Sequence, residues 1–227
     1  YKAESTGDYS YRGDDPDAYE DVFDQETGEE DNLEPLMAFL AFIETSTDAD
    51  FAAELPAYLD VESFATYLAF EDLINNFDDV DGPGNNSFLR WDEGSGQFTV
   101  VAWDHNMAFG ISPSANGGPG AVGGDTTGLA GPPARGMQPG AEFAPDAMAA
   151  APQLGGSNPL VQRFLANEEF QALYGAAAAD LQASLVDSGA AEQTLDAWVD
   201  LLTGQAGDLV DEATVASEAA AISAHCN

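Results

Sequence analysis

Asp78, Asp79 and Asp81 crowd one loop, DDVDGPGNN, with Asn85 and Asn86 close behind, and Asp104 follows directly on the apolar run Thr99 to Trp103. Carboxylates at this density repel one another unless a cation neutralises them, and Asp and Asn oxygens are ligands that hard divalent cations accept. The set fits the needs of phosphoryl transfer: an Asp to orient the attacking hydroxyl, an Asn a few residues on for metal, and a further Asp at a strand end for the metal-bound phosphate. Asp78 or Asp81 can take the first role, Asn86 the second and Asp104 the third. An EF-hand is excluded by residue identity, because aligning Gly82 with its glycine places Phe77 and Phe88, which cannot ligate, at the first and last loop positions. The plain alternative is a solvated acidic turn ahead of a hairpin.

These residues need a framework. Leu36, Met37, Phe39, Leu40 and Ile43 recur at helical spacing after Asn32, with Asn32 or Asp31 as the expected cap and Pro35 in the first turn. A second helix is predicted from about Asp60 to Asn75, with Asp60 as N-cap, Phe64, Tyr67, Leu68 and Ile74 in its apolar stripe and Glu71 interrupting it. After the acidic loop, SFLRW and QFTVVAW read as two short strands joined by the tight turn DEGSG. Tyr1 to Glu30 reads as strands and turns, Ile111 to Ser157 as a Gly/Pro-rich insertion or lid, and Asn158 onward as two or three amphipathic helices. The expected units are therefore 1–31, a strand and turn remnant of an upstream lobe; 32–110, a helix, loop and hairpin core; 111–157; and 158–227.

Forty-one Asp and Glu stand against five basic residues, Lys2, Arg12, Arg90, Arg135 and Arg163, for a formal net charge of -36. Such a surface repels nucleic acid and anionic membranes, and it suits high salt or an extracellular setting. Cys226 is the single cysteine, so neither a disulfide framework nor a Cys-based zinc cluster is available. No run of apolar residues is long enough for a membrane span. Starting at Tyr1 with no leader pattern, the chain reads as part of something longer.

The stretch NNFDDVDGPGNNSFLRWDEGSGQFTVVAWDHNMAFG resembles the signature of the CotH kinase family, named for spore coat protein H. In that pattern Asn76 and Asp78 match N-x-D, Asn86 with Phe88 and Leu89 match the following strand, and Trp103, Asp104, Asn106, Phe109 and Gly110 match W-D-x-D/N with F-G downstream. KAESTGDYSYRG and NPLVQRFL also look familial. The sequence departs from the pattern where Asn106 stands for the usual Asp and where Ser87 and Arg90 stand for aromatics.

The resemblance implies an α+β, atypical protein-kinase-like fold, mainly a helical C-terminal lobe with a short β-hairpin carrying the metal site. It implies Mg- or Mn-dependent transfer of phosphate from ATP to Ser residues of cell-surface or coat proteins. Asp104 and Asn86 would hold metal and nucleotide, Asn106 would help bind the cofactor, and Asp78, with Asp81 in reserve, would be catalytic. ATP and a surface or coat protein are the implied partners, at an extracellular or cell-surface location, with no nucleic acid. The rival is a non-catalytic Ca-binding surface or coat module, and a metal-dependent hydrolase using a bound water is a third reading. Lys2, the sole lysine, is a candidate phosphate-binding cation or a merely solvated one. His105 is expected to point to the opposite strand face from its neighbours in a structural role, and Trp103 and Phe109 are expected to be core anchors.

Overall fold

In a computed structural model of the 227-residue chain, residues 1–4, 9–28, 32–82, 86–110 and 158–225 are described. The insertion at 111–157 and the Asp31 alternative for the first cap lie outside them. The fold is α+β, as expected: a four-stranded antiparallel sheet with helices packed against it.

The hairpin forms as the sequence predicts. Strands β3 (Ser87–Asp92) and β4 (Gln97–Ala102) pair from Ser87 opposite Ala102 to Asp92 opposite Gln97. The Asp92 carboxylate closes the turn by accepting from the Ser95 amide at 2.9 Å, and Gly96 takes the left-handed conformation at φ +73°. Two short strands from the N-terminal segment, β1 (Lys2–Ala3) and β2 (Phe23–Asp24), complete the order β2-β1-β3-β4. Tyr9, Tyr19, Val22 and Phe23 join the same core as the helices.

Helix α1 (Glu34–Thr45) starts with Pro35 in its first turn, but its N-cap is Leu33, with no side-chain bond, in place of the expected Asn32. Helix α2 (Asp48–Tyr58), which apolar periodicity did not announce, is capped by Thr47 accepting from the Asp50 amide. Helix α3 (Val61–Leu73) is capped by Asp60, whose side chain accepts from the Ser63 amide at 3.1 Å. The corner between α2 and α3 is fastened to the hairpin where the Asp60 amide donates to the Phe98 carbonyl at 2.9 Å. Aromatic rings fill the interior, with Phe39 stacked on Phe98 at 4.9 Å and Phe42 on Tyr58 at 4.3 Å between centroids.

The C-terminal half supplies α4 (Pro159–Ala166), α5 (Glu168–Leu181), a π-helical stretch (Gln182–Asp187), α6 (Ala190–Gln205) and α7 (Glu212–His225). This is more helix than the two or three elements expected. The packing of α5 on α3 is the most extensive helix contact, and the Tyr174 hydroxyl pins it by donating to Asp72 at 2.6 Å. Asn158 does two jobs at the start of α4. Its Oδ1 accepts from the Leu160 and Val161 amides, and its Nδ2 donates to the buried carbonyl of Val80 at 3.0 Å. Arg163, one turn later, lies over the Phe51 ring at 4.2 Å and donates to the Ser46 carbonyl, tying α4 to the α1–α2 corner. NPLVQRFL is thus the segment that fixes the helical half to the acidic loop.

Asn158→Ala should lower unfolding stability by about 2–4 kcal/mol, summing a lost cap and an unsatisfied buried carbonyl. Asn158→Ser, which keeps a cap oxygen but is too short to reach Val80, should lose an intermediate amount. Denaturant unfolding checks both, and equal losses would contradict the dual role.

Candidate functional site

Helix α3 ends at Leu73, and Asn75 turns the chain at φ +50°, so the acidic loop begins at the base of the buried helix. Asn76 is buried, donating Nδ2 to Glu71 Oε2 at 2.8 Å while its Oδ1 accepts from the Asp78 amide at 3.3 Å. Asp78 then meets Asn86 across the loop, with Asn86 Nδ2 donating to Asp78 Oδ2 at 2.9 Å. Two of the residues singled out by spacing are therefore in direct contact.

Asp104 reaches the same neighbourhood through the backbone. The Trp103 amide donates to the Asn86 carbonyl at 3.1 Å, which places Asp104 two residues beyond the end of the pairing between β3 and β4. Asp104 is exposed, and its carboxylate accepts from the Asn106 amide at 3.3 Å in a local turn. Asn106 is exposed beside it. Asp81 sits one turn away from the contact, its amide bonded to Asp79 Oδ1 at 3.0 Å.

Four of the five non-glycine residues with positive φ among the described residues lie in this region: Asn75, Asn86, Asp104 and Phe109. Asn and Asp tolerate the left-handed region, whereas for Phe109 it costs about 1 kcal/mol or more. Phe109 is held there by donating its amide to the Ile74 carbonyl at 2.6 Å, and Gly110 donates to Asn75 at 3.2 Å. Gly110 has φ +72°, and a Cβ on it would come 2.9 Å from Asn75 Nδ2. The F-G pair thus latches the segment after Asp104 onto the end of α3.

The loop carries a second buried carboxylate, Asp79, which the sequence reading left without a role. Burial, with the neighbouring Asp81 carboxylate next, pushes its carboxyl up to about 8, against the pull of the Gly82 amide that donates to it at 2.8 Å. Burial thus favours the protonated form of Asp79, so a proton as well as a cation can relieve the crowding of these carboxylates. Burial, followed by Asp79 and Glu71, likewise drives the Tyr67 phenol well above its usual value, and its oxygen accepts from the Val80 amide at 3.3 Å. Gly82 is required for space: a Cβ there would fall 1.9 Å from the Phe77 carbonyl oxygen.

Three expectations about flanking residues change. Strand β4 stops at Ala102, so His105 lies beyond the alternation that was to turn it away, and its Nε2 meets Glu71 Oε1 at 3.0 Å. Trp103 is 53% exposed, with its ring edge against Phe88, and is no core anchor. Phe109 is half-buried near His225. Lys2 pairs with Glu4 at 2.8 Å on the sheet. Glu71, 1% exposed, is the residue that sequence reasoning missed; its signal was a carboxylate interrupting an otherwise buried stripe.

The CotH kinase protein family model matches residues 1–218. The chain belongs to the CotH kinase family. No curated protein matches it. Membership brings a kinase-like function and, in general terms, ATP, a divalent metal and a protein substrate. Among the described residues no helix is long and apolar enough to cross a membrane.

The donor set was weighed against the metal that a CotH kinase implies. Among the described residues no three His, Cys, Asp or Glu side chains converge as a cage. Mg needs no such cage, because it is usually held by one or two side chains, with waters and substrate phosphates completing its shell. Asn86 uses its nitrogen on Asp78, which leaves its amide oxygen as the atom with ligand chemistry, and Asp104 adds an exposed carboxylate. The residues present fit a phosphate-borne cation.

Asp79→Asn should flatten the pH dependence of stability. A carboxyl with its folded pKa raised to about 8 binds its proton in the folded state while the unfolded chain, near 4, has lost it, so folding stability falls as pH rises between those values. The difference between wild type and Asp79→Asn, measured by denaturant unfolding from pH 4 to 8, should show that slope in the wild type only. Gly82→Ala should cost about 1–3 kcal/mol through overpacking against Phe77, read by thermal unfolding.

Proposed function

We propose that this CotH kinase chain transfers the γ-phosphate of ATP to Ser hydroxyls of cell-surface or coat proteins, outside the cell, with Mg or Mn accompanying the nucleotide. The observation that supports this reading is the Asn86 to Asp78 hydrogen bond, which brings the amide proposed to hold metal beside the carboxylate proposed to orient the hydroxyl. Bound Mg-ATP would supply charge neutralisation on the transferring phosphoryl group. Asn86 and Asp104 would hold it, with Asn106 shaping the Asp104 turn. Asp78 would accept the hydrogen bond of the attacking hydroxyl and take its proton as the serine oxygen bonds to the γ-phosphorus and the bond from that phosphorus to the β–γ bridging oxygen breaks, with ADP as the leaving group. Asp78 is preferred to Asp81 in this role because its carboxylate touches Asn86, the residue proposed to hold metal. The acidic surface supports an extracellular or high-salt setting.

Asp104→Ala should abolish the thermal stabilisation given by ATP with Mg or Mn. Asp78→Asn should retain that stabilisation while lowering transfer by about 10²–10⁴-fold, the range for loss of a general base. Stabilisation by Ca without nucleotide would favour the structural-module reading, and phosphate release without acceptor labelling would favour a hydrolase.

A further inference from the structure

Glu71 is nearly inaccessible to solvent yet belongs to no group that touches nucleotide or acceptor in the proposed mechanism. Its two oxygens face two different segments. Oε2 accepts from Asn76 Nδ2 at 2.8 Å, and Oε1 lies 3.0 Å from His105 Nε2. Asn76 in turn accepts from the Asp78 amide, and His105 is covalently next to Asp104. A continuous path therefore runs from the hydroxyl-orienting residue, through Asn76, Glu71 and His105, to the metal-holding residue. Assigning the ring proton to His105 Nε2 gives each carboxylate oxygen one donor.

We infer that Glu71 is a positioning residue that sets Asp78 and Asp104 in register with each other, acting through Asn76 and His105. The inference rests on the proposed roles of Asp78 and Asp104. A carboxylate merely satisfied in the core would need donors from any direction. This one takes both from the ends of the two segments that carry the proposed chemistry. His105 is the exposed end of the path, with 37% of its side chain accessible, so it can be altered without opening the core. Glu71→Met keeps the approximate length but carries neither oxygen, so it can accept from neither partner, and His105→Phe keeps a ring against Phe70 but has no nitrogen to meet Glu71.

Hydrogen exchange of the full chain without nucleotide, compared among wild type, Glu71→Met and His105→Phe, tests the coupling. Either substitution should quicken exchange by about tenfold or more, in line with the loss of a supporting hydrogen bond, in both 76–82 and 103–110, with the β3–β4 amides unchanged. Loosening of only one segment, of neither, or of α3 as a whole would overturn the inference. In a second arm, both variants should raise the Mg-ATP dissociation constant by about 10–100-fold, and the double variant should lose no more than the worse single. Additive losses would overturn the shared path. Failure of the wild type to bind Mg-ATP would sink the proposed function instead, leaving the exchange result to decide the coupling.

Discussion

A carboxylate taken out of water has to be met by hydrogen-bond donors or a proton, and the stretch from Glu71 to Gly82 meets that requirement in both ways. Glu71 recruits Asn76 and His105, while burial shifts Asp79 towards its protonated form and it accepts from the Asp81 and Gly82 amides. Each solution bends the chain. Together they convert what composition describes as an acidic turn into a loop with fixed hydrogen bonds on both sides of Asp78. A buried polar group left unmet costs about 1–3 kcal/mol, so these bonds are strong constraints on loop geometry.

The rest of the molecule braces that loop. Val80, at its centre, is fully buried, with its amide on Tyr67 of α3 and its carbonyl on Asn158 at the start of α4. Helix α3 is itself packed on the sheet, on α4 through Phe64 against Phe164, and on α5 through Asp72 with Tyr174. Aromatic packing positions α3, α3 positions Glu71 and Tyr67, and those two position the loop. With a net charge of -36, the surrounding field opposes any further gathering of carboxylates, which is why the contact at the loop's mouth is between Asp78 and an amide.

Much of this framework is legible in the residues. Asp60 as a cap, the DEGSG turn, the alternation of SFLRW with QFTVVAW and the familial N-x-D and W-D-x-N spacing all act locally, so the sequence shows them directly. Helix α2 was hidden because only Phe51 and Leu55 are buried on it and Pro56 sits inside it, although Thr47 was a readable cap. Strand alternation misplaced His105 because the chain leaves β4 at Ala102 and passes through a left-handed Asp104, a change of path that no periodicity encodes. Glu71 and Asp79 were obscure for a different reason. Their roles depend on burial and on partners from segments distant in sequence, as with Asn158 reaching Val80 across 78 residues.

In the proposed function, the acidic loop and the segment after β4 together present one cation and nucleotide site, with Asp78, Asn86 and Asp104 as its residues. Paramagnetic broadening of backbone amide resonances by Mn-ATP reads this directly, because the effect falls steeply with distance from the ion. Broadening confined jointly to 76–82, Asn86 and 103–106 is the expected pattern. Broadening spread over the acidic surface at large, or restricted to one of those segments, would contradict it.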